Sequence, residues 1–392
     1  MNLAILKPEV QQFIHQHLKT DITKLILKGS PFEAISVQAL ANQIIAKQKS
    51  ATKLPTWFQQ ENIYYPAKIS IEQTSSEITA AYKSKLLSGN SLIDLTGGFG
   101  VDCFYFAKKF KNVVHCEIDE ELSTIVNYNY KQLEIQNIQT IAKNGIHFLK
   151  ETTTVFDCMY IDPSRRDDTK GKVFLLKDCL PEVPPKIDFL FTKASTILIK
   201  TSPILDITQT VQDLKNVKEV HVVAIKNEVK EVLFLLHKNY EGAIEIKTIN
   251  IKKERSDIFN FNYLENSISE YATPQNFLYE PNAAILKSGG FHQITNQFKV
   301  NKLHKHSHLY TSEVLIAFPG RTFKIEYMLP YDKKKIKRLL PENKANITTR
   351  NFPKTVAQIR KETKIKEGGT IFIFFTINKK GQLIVLICSK LP

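Results

Sequence analysis

Three groups of residues in this chain have the types and spacing for chemistry. The first is the run Asp94-Leu95-Thr96-Gly97-Gly98-Phe99-Gly100-Val101-Asp102, directly after the apolar stretch SLIDL. A strand that enters a Gly-rich turn and then a helix brings backbone N–H groups close to a ligand. The second is Glu117, which ends the apolar stretch NVVHCE 17 residues past Gly100. An acid at the tip of the second strand of such a sheet accepts hydrogen bonds from ribose hydroxyls. The third is Asp162-Pro163-Ser164-Arg165-Arg166, at the end of the apolar stretch FDCMYI. There Asp162 can orient or deprotonate a nucleophilic nitrogen, and Pro163 stiffens the turn. Arg165 or Arg166 can stack on a base or pair with a phosphate.

The turn discriminates among cofactors. No G-K-[ST] follows it, which excludes a P-loop. Dinucleotides prefer G-x-G-x-x-G, whereas this run reads D-x-T-G-G-x-G, with an acid at its start. That pattern suits a cofactor with a cationic amino-acid end and no phosphate. Asp94 can meet the amino group, directly or through water, while Thr96, Gly97, Gly98 and Gly100 admit the amino-acid moiety. S-adenosylmethionine fits this better than a nicotinamide dinucleotide.

Elements must hold these residues in place. Apolar runs at Ser91–Leu95, Asn112–Glu117, Phe156–Ile161, Thr196–Lys200 and Glu219–Ile225 alternate with helical segments such as Glu120–Leu133. This alternation predicts a mostly parallel sheet covered on both faces. Ligands of such sheets sit at the carboxyl ends of the strands, where all three groups fall. Residues 1–60 space apolar side chains three and four apart and predict helices. Beyond about residue 245 strands shorten and prolines punctuate the chain. TIFIFFTI and QLIVLIC, joined by NKKG, predict a terminal hairpin.

Composition narrows the class. The 392 residues are 43 % hydrophobic, too rich for disorder, and their length suggests two or three domains. The five cysteines lack C-x-x-C spacing, which argues against a zinc site or a disulfide framework and predicts a reducing cytoplasm. No secretory signal or membrane span is predicted. The net charge is +15, and +11 of it lies in residues 311–392, with 17 basic and 6 acidic residues. A clustered basic region predicts a polyanionic partner, since each phosphate neutralised releases counterions.

Together these motifs identify a resemblance. The chain resembles class I S-adenosylmethionine-dependent methyltransferases, in particular a bacterial subgroup with a C-terminal THUMP-like domain related to RNA-binding modules. The residues are EQTSSEITA (Glu72–Ala80), DLTGGFGVD, CEID, FDCMYIDPSRRD, ILIKTSPILD, VVAIKNEVKE, EPNAAILKSG, LYTS, FPGRTF and RNFP. The resemblance implies an α/β fold: an N-terminal helical segment (1–70), a Rossmann-like, mostly parallel methyltransferase sheet (71–243), and a small ferredoxin-like α+β region (244–315) followed by a basic THUMP-like domain (316–392). It implies that Asp94, Gly97 and Gly100 line the methionine end of the cofactor. Glu117 would bind the ribose and Ile118 would pack on the adenine. Asn144 stands where many relatives place an acid for the adenine amino group; otherwise it is a turn residue before Gly145. Base aminomethyltransferases have [DN]-P-P-[aromatic] where this chain has DPSR, so Ser164 and Arg165 depart from that pattern.

The implied activity is methylation of a base nitrogen in tRNA or rRNA, docked by the basic C-terminal elements Lys333–Arg338, Arg350, Lys354, Arg360, Lys361, Lys364 and Lys366. Catalysis would rest on Asp162, Pro163 and Arg165. The rivals are a small-molecule or protein methyltransferase, and a non-catalytic RNA-binding protein on the same scaffold. Weaker signals read structurally. Lys200 follows the ILI strand at the same carboxyl edge, where a cation could meet a phosphate, although a surface lysine at a strand end is the simpler reading. Asn227 caps a helix starting at Glu228. Cys158 lies inside a strand, away from pyrimidine-C5 chemistry. His304, His306 and His308 alternate as on a strand, with no acid or cysteine nearby to complete a metal site.

Overall fold

A computed structural model describes residues 1–165, 175–340 and 342–391, with Arg165 described by its backbone. The chain forms two compact units, Met1–Lys218 with Leu233–Glu241, and Glu219–Val232 with Gly242–Pro392.

The first unit begins with the predicted helices. In the longest, Val37–Lys53, the Ser36 side chain caps the N-terminus, and Leu40, Ala41 and Ile44 turn inward. The segment EQTSSEITA does structural work. Ser76 caps the helix Glu77–Ser84. Buried Glu77 accepts hydrogen bonds from Thr56 N–H (2.6 Å), Thr56 O–H (2.7 Å) and Tyr105 O–H (2.7 Å).

The core of this unit is a parallel sheet. β1 (Ser91–Asp94) lies between β2 (Asn112–Glu117) and β4 (Phe156–Ile161). β3 (Ile138–Ala142) pairs outside β2, and β5 (Ala194–Thr201) outside β4, all in parallel. Central strands covered on both faces carry continuous apolar runs, and Leu92, Ile93, Cys158, Met159, Ile161, Leu198 and Ile199 are all buried. Truncating one of the larger of these to alanine costs about 2–5 kcal/mol. The register brings Asp94 beside His115 and Tyr160, and Ile161 beside Ile199. The carboxyl ends of β1, β2, β4 and β5 therefore share one edge.

In the second unit, residues 219–225 pair in parallel with Glu245–Ile251, which pairs antiparallel with Asp257–Asn262. Glu228–His237 is a strand, which corrects the helix expected there. Its residues Val232–Leu236 are all buried, and a continuous apolar run satisfies a two-sided strand as well as a helix. Asn227 takes a left-handed φ of 67° in the turn before it. Its side chain accepts from Ala283 N–H at 2.8 Å.

The rest of this unit is a seven-stranded sheet. Its order is Asn301–Lys302, Tyr310–Ser312, Phe277–Pro281, Gly320–Pro330, Leu383–Lys390, Ile371–Ile377, Asn346–Thr349. The terminal hairpin is antiparallel, as its sequence predicts. Strands from 244–315 and 316–392 share this sheet, since Phe277–Pro281 pairs with Gly320–Pro330. The basic helices Lys333–Arg338 and Val356–Thr363 insert Ile336 and Ile359 into a cluster with Ile373, Phe375 and Val385. The segment holding His304, His306 and His308 is a turn rather than a strand, with His308 at a φ of 52°. Among the described residues no group of three or more His, Cys, Asp or Glu could hold a metal ion.

Candidate active site

At the carboxyl edge of β1 the chain turns on Gly97. The Gly97 N–H donates to Cys116 O at 2.8 Å, which presses the turn onto β2. A Cβ on Gly97 would lie 2.2 Å from Nε2 of His115, a fully buried ring, so only glycine fits. His115 sits beneath the turn, and burial holds its ring neutral, lowering its pKa to about 4. The Gly98 N–H reaches Glu117 Oε2 at 2.8 Å, and the Asp119 N–H reaches Oε1 at 2.9 Å. Two backbone donors thus fix the Glu117 carboxylate. Next to it Ile118 is 68 % exposed, an apolar side chain presented to solvent at the site's rim. Tyr130 O–H donates to Gly100 O at 2.9 Å and holds the far end of the turn.

Asp94 is buried below these groups. Its Oδ1 accepts from Thr96 N–H (2.9 Å) and Thr96 O–H (3.3 Å), and its Oδ2 from the Cys103 thiol (3.3 Å). Burial pushes the carboxyl up to about 7, the Thr96 N–H opposes this, and the nearby Asp102 and Asp162 push it further. Among the described residues no cation is paired with it, so it can receive one.

Thr96 joins the turn to the third motif, because its Oγ1 also accepts the Asp162 N–H at 2.7 Å. The Asp162 carboxylate forms an ion pair with Lys200 at the end of β5. Ser164–Arg165 then forms a short ladder with Cys179–Leu180. Pro163 is half-buried. Arg166 lies outside the described residues.

Asn144 caps the helix Gly145–Glu151: its Oδ1 accepts from Ile146 N–H (3.0 Å) and His147 N–H (3.2 Å). The carbonyl is thereby engaged, and Nδ2 is the group left to face a ligand. Cys158 is buried, and burial pushes its thiol up to about 11, away from a nucleophilic thiolate.

The structure brings together residues that sequence reasoning missed. Lys200, read as an ordinary strand-end lysine, is the partner of Asp162. His115 and Tyr130 shape the turn from beneath. Fully buried Lys83 lies 3.1 Å from Asp102 Oδ1 and donates to Ser75 Oγ at 2.8 Å. Asp102 Oδ2 accepts from Ser75 (2.7 Å) and Tyr160 (3.0 Å), which fixes the helix that follows the turn. A polar residue amid an apolar run was the available signal for His115; nothing local to Lys83 marked it.

The donor set fits S-adenosylmethionine: a buried carboxyl awaiting a cation, a half-exposed turn without side chains at Gly97 and Gly98, a fixed acid, and an exposed apolar residue beside it.

Part of the C-terminal basic surface is committed to structure. Lys333 and Lys354 each lie 2.8 Å from Glu362. Arg360 donates to Ile365 O (3.0 Å) and Ala345 O (3.2 Å). Lys334, Lys335, Lys337 and Arg338 are exposed. No helix among the described residues is long and apolar enough to cross a membrane.

Comparisons with known proteins agree with this architecture. A ferredoxin-like domain model matches residues 277–319, and a THUMP domain-like model matches residues 320–390. A solved protein of Porphyromonas gingivalis W83, classed as a methyltransferase, is 31 % identical over 99 % of this chain and 98 % of that one, with a TM-score of 0.88. An uncharacterized RNA methyltransferase of Mycoplasma mobile is 26 % identical over 184 residues, 45 % of this chain and 49 % of that protein. The chain thus spans about half the length of the curated relative it matches. Near-complete coverage at this identity, with the turn and the THUMP-like region in place, means that the chain belongs to the class I S-adenosylmethionine-dependent methyltransferase family with a C-terminal THUMP-like domain.

Proposed function

We propose that this protein is an S-adenosylmethionine-dependent RNA methyltransferase that modifies a base nitrogen in tRNA or rRNA. The observation that carries the reading is the Thr96 bridge. One hydroxyl touches both Asp94, below the cofactor turn, and the Asp162 backbone, where an acceptor would lie. The RNA methyltransferase of Mycoplasma mobile and the THUMP domain-like match support RNA as the substrate class.

The bound cofactor supplies an electrophilic methyl group on a sulfonium. Asp94 receives its ammonium end, Glu117 accepts from the ribose hydroxyls, and Ile118 packs on the adenine. Asn144 would meet the adenine with its amide N–H, since its carbonyl is engaged. Asp162 keeps one oxygen on Lys200 and orients the target base nitrogen with the other. Pro163 holds that carboxylate's backbone stiff, and Arg165 would supply the cation that stacks on a base or pairs with an RNA phosphate. Catalysis then rests mainly on proximity and alignment of nitrogen and methyl.

The test is nucleoside mass spectrometry of bulk RNA incubated with the protein and S-adenosylmethionine. One new methylated nucleoside is expected, and D162N should lower its rate by about 100-fold or more while cofactor affinity stays unchanged. A protein that binds cofactor and RNA yet transfers nothing is a scaffold, and the reading fails.

A further inference from the structure

The second unit holds a charge cluster that the methyl-transfer site does not use. Glu280 is the next-to-last residue of the strand Phe277–Pro281, and its side chain is 4 % exposed. Arg321 faces it across the strand pair, and its Nε donates to Oε2 at 2.6 Å. Arg350, 70 residues along the chain from Glu280, donates to Oε1 from Nε at 3.0 Å and from Nη2 at 2.7 Å. One buried carboxylate thus holds two guanidiniums, one on each oxygen. The backbone is built for this approach. A Cβ on Gly320 would lie 2.1 Å from Glu280 O, so glycine permits the register that sets Arg321 opposite Glu280. The Arg350 N–H is tied to Phe375 O at 2.9 Å.

Charge and exposure make this more than an internal ion pair. Two cations face one anion, which leaves an uncompensated positive charge. The arginine side chains are 37 % and 36 % exposed, and among the described residues the Nη1 groups of both have no partner. Each guanidinium keeps donors directed away from the carboxylate, and its rotamer is already fixed. A second anion would relieve the repulsion between the arginines at little entropic cost.

We propose that Arg321 and Arg350, braced by Glu280, form a two-pronged clamp for one backbone phosphate of the RNA substrate. This rests on the RNA reading above and moves the anchoring point from the basic helices to the junction of the ferredoxin-like and THUMP-like matches. Each guanidinium would donate from its Nη1 side to a phosphate oxygen, a charge-assisted pairing from two directions.

The full-length protein is titrated against a labelled, unmodified tRNA transcript from about 50 to 200 mM salt, by fluorescence anisotropy. In R321Q/R350Q the clamp is lost. Affinity should fall about 10-fold, and the log–log salt slope should shrink by about one, because both prongs serve one phosphate. Since that variant strands a buried carboxylate, E280Q/R321Q/R350Q repeats the measurement without it, with circular dichroism to confirm folding. R321K/R350K keeps both charges but not the forks, so its slope should hold while its affinity falls several-fold. S-adenosylmethionine affinity by calorimetry should stay constant throughout. If the folded triple variant or the lysine variant binds RNA as tightly as the parent, the arginines are only a structural pair and the clamp is refuted. If the parent binds no RNA at low salt, the RNA reading falls first and the clamp with it.

Discussion

Asp94 and Glu280 are both buried carboxylates, and they sit in opposite electrical situations. Asp94 has hydrogen-bond donors but two acids nearby, and burial raises its pKa to about 7. Among the described residues it has no cationic partner. Glu280 has one cation too many around it. Each site is incomplete in the sense its proposed ligand would complete: an ammonium at Asp94, a phosphate at Glu280. A buried charge is costly until it is paired, so an unbalanced one points to what is meant to arrive.

Removing the brace should have the largest effect on this contrast. E280A leaves two arginines facing each other over a void, and we expect a loss of about 3–5 kcal/mol in urea unfolding, the scale of breaking a buried ion pair. A smaller stability change is expected from G97A, where the new methyl must displace the buried His115 ring. Overpacking of this kind costs about 1–3 kcal/mol, and calorimetry should find S-adenosylmethionine binding abolished.

The charge of Asp94 can be sharpened by pH. The carboxyl titrates near 7 and binds an ammonium only when ionised, so cofactor affinity should climb as pH rises from about 6 towards 7.5. D94N should bind weakly with a flat profile; a parental slope in D94N would assign the titration elsewhere. Acid should also act through His115. Its pKa is about 4 when folded and about 6.5 when unfolded, so the unfolded chain takes up the proton first. That contribution to stability is complete above about 6.5 and is lost as pH falls towards 4, which thermal melts across this range would follow.

The smallest effect belongs to an exposed acid. Glu362 gathers Lys333, Lys354 and Tyr331 at the surface, where its pKa is lowered to about 2, chiefly by Lys333 and Lys354. E362Q should leave the melting temperature unchanged within error and raise RNA affinity slightly by releasing two lysines. If E362Q destabilises the chain as much as E280A does, burial is not what separates the two carboxylates.

The two regions were unequally legible in the sequence. The turn, from Asp94 to Glu117, is one short stretch in which glycine spacing, strand pattern and acid placement all report on the same ligand. The parallel sheet was readable for the same reason, since apolar runs alternating with helices leave few arrangements. The pairing of Asp162 with Lys200 joins residues 38 apart, and Glu280 meets Arg350 across 70. Nothing local encodes such distances, although each partner falls inside a stretch that carried the family resemblance. Where local pattern was ambiguous it misled. The run after Glu228 became a strand because burial on both faces, not helical periodicity, placed its leucines. The histidines at 304, 306 and 308 alternate in sequence but fold into a turn.

Thr96 carries a consequence of its own. Its hydroxyl spans the gap between the carboxyl under the donor turn and the backbone of the acceptor loop. On the function proposed above, the separation of methyl donor and acceptor would be gauged by one short side chain of fixed length. Serine would preserve that gauge, whereas valine, equal in shape, would remove the bridging oxygen and let the acceptor loop drift. In the proposed reaction, the ruler set by this bridge would be a single oxygen atom long.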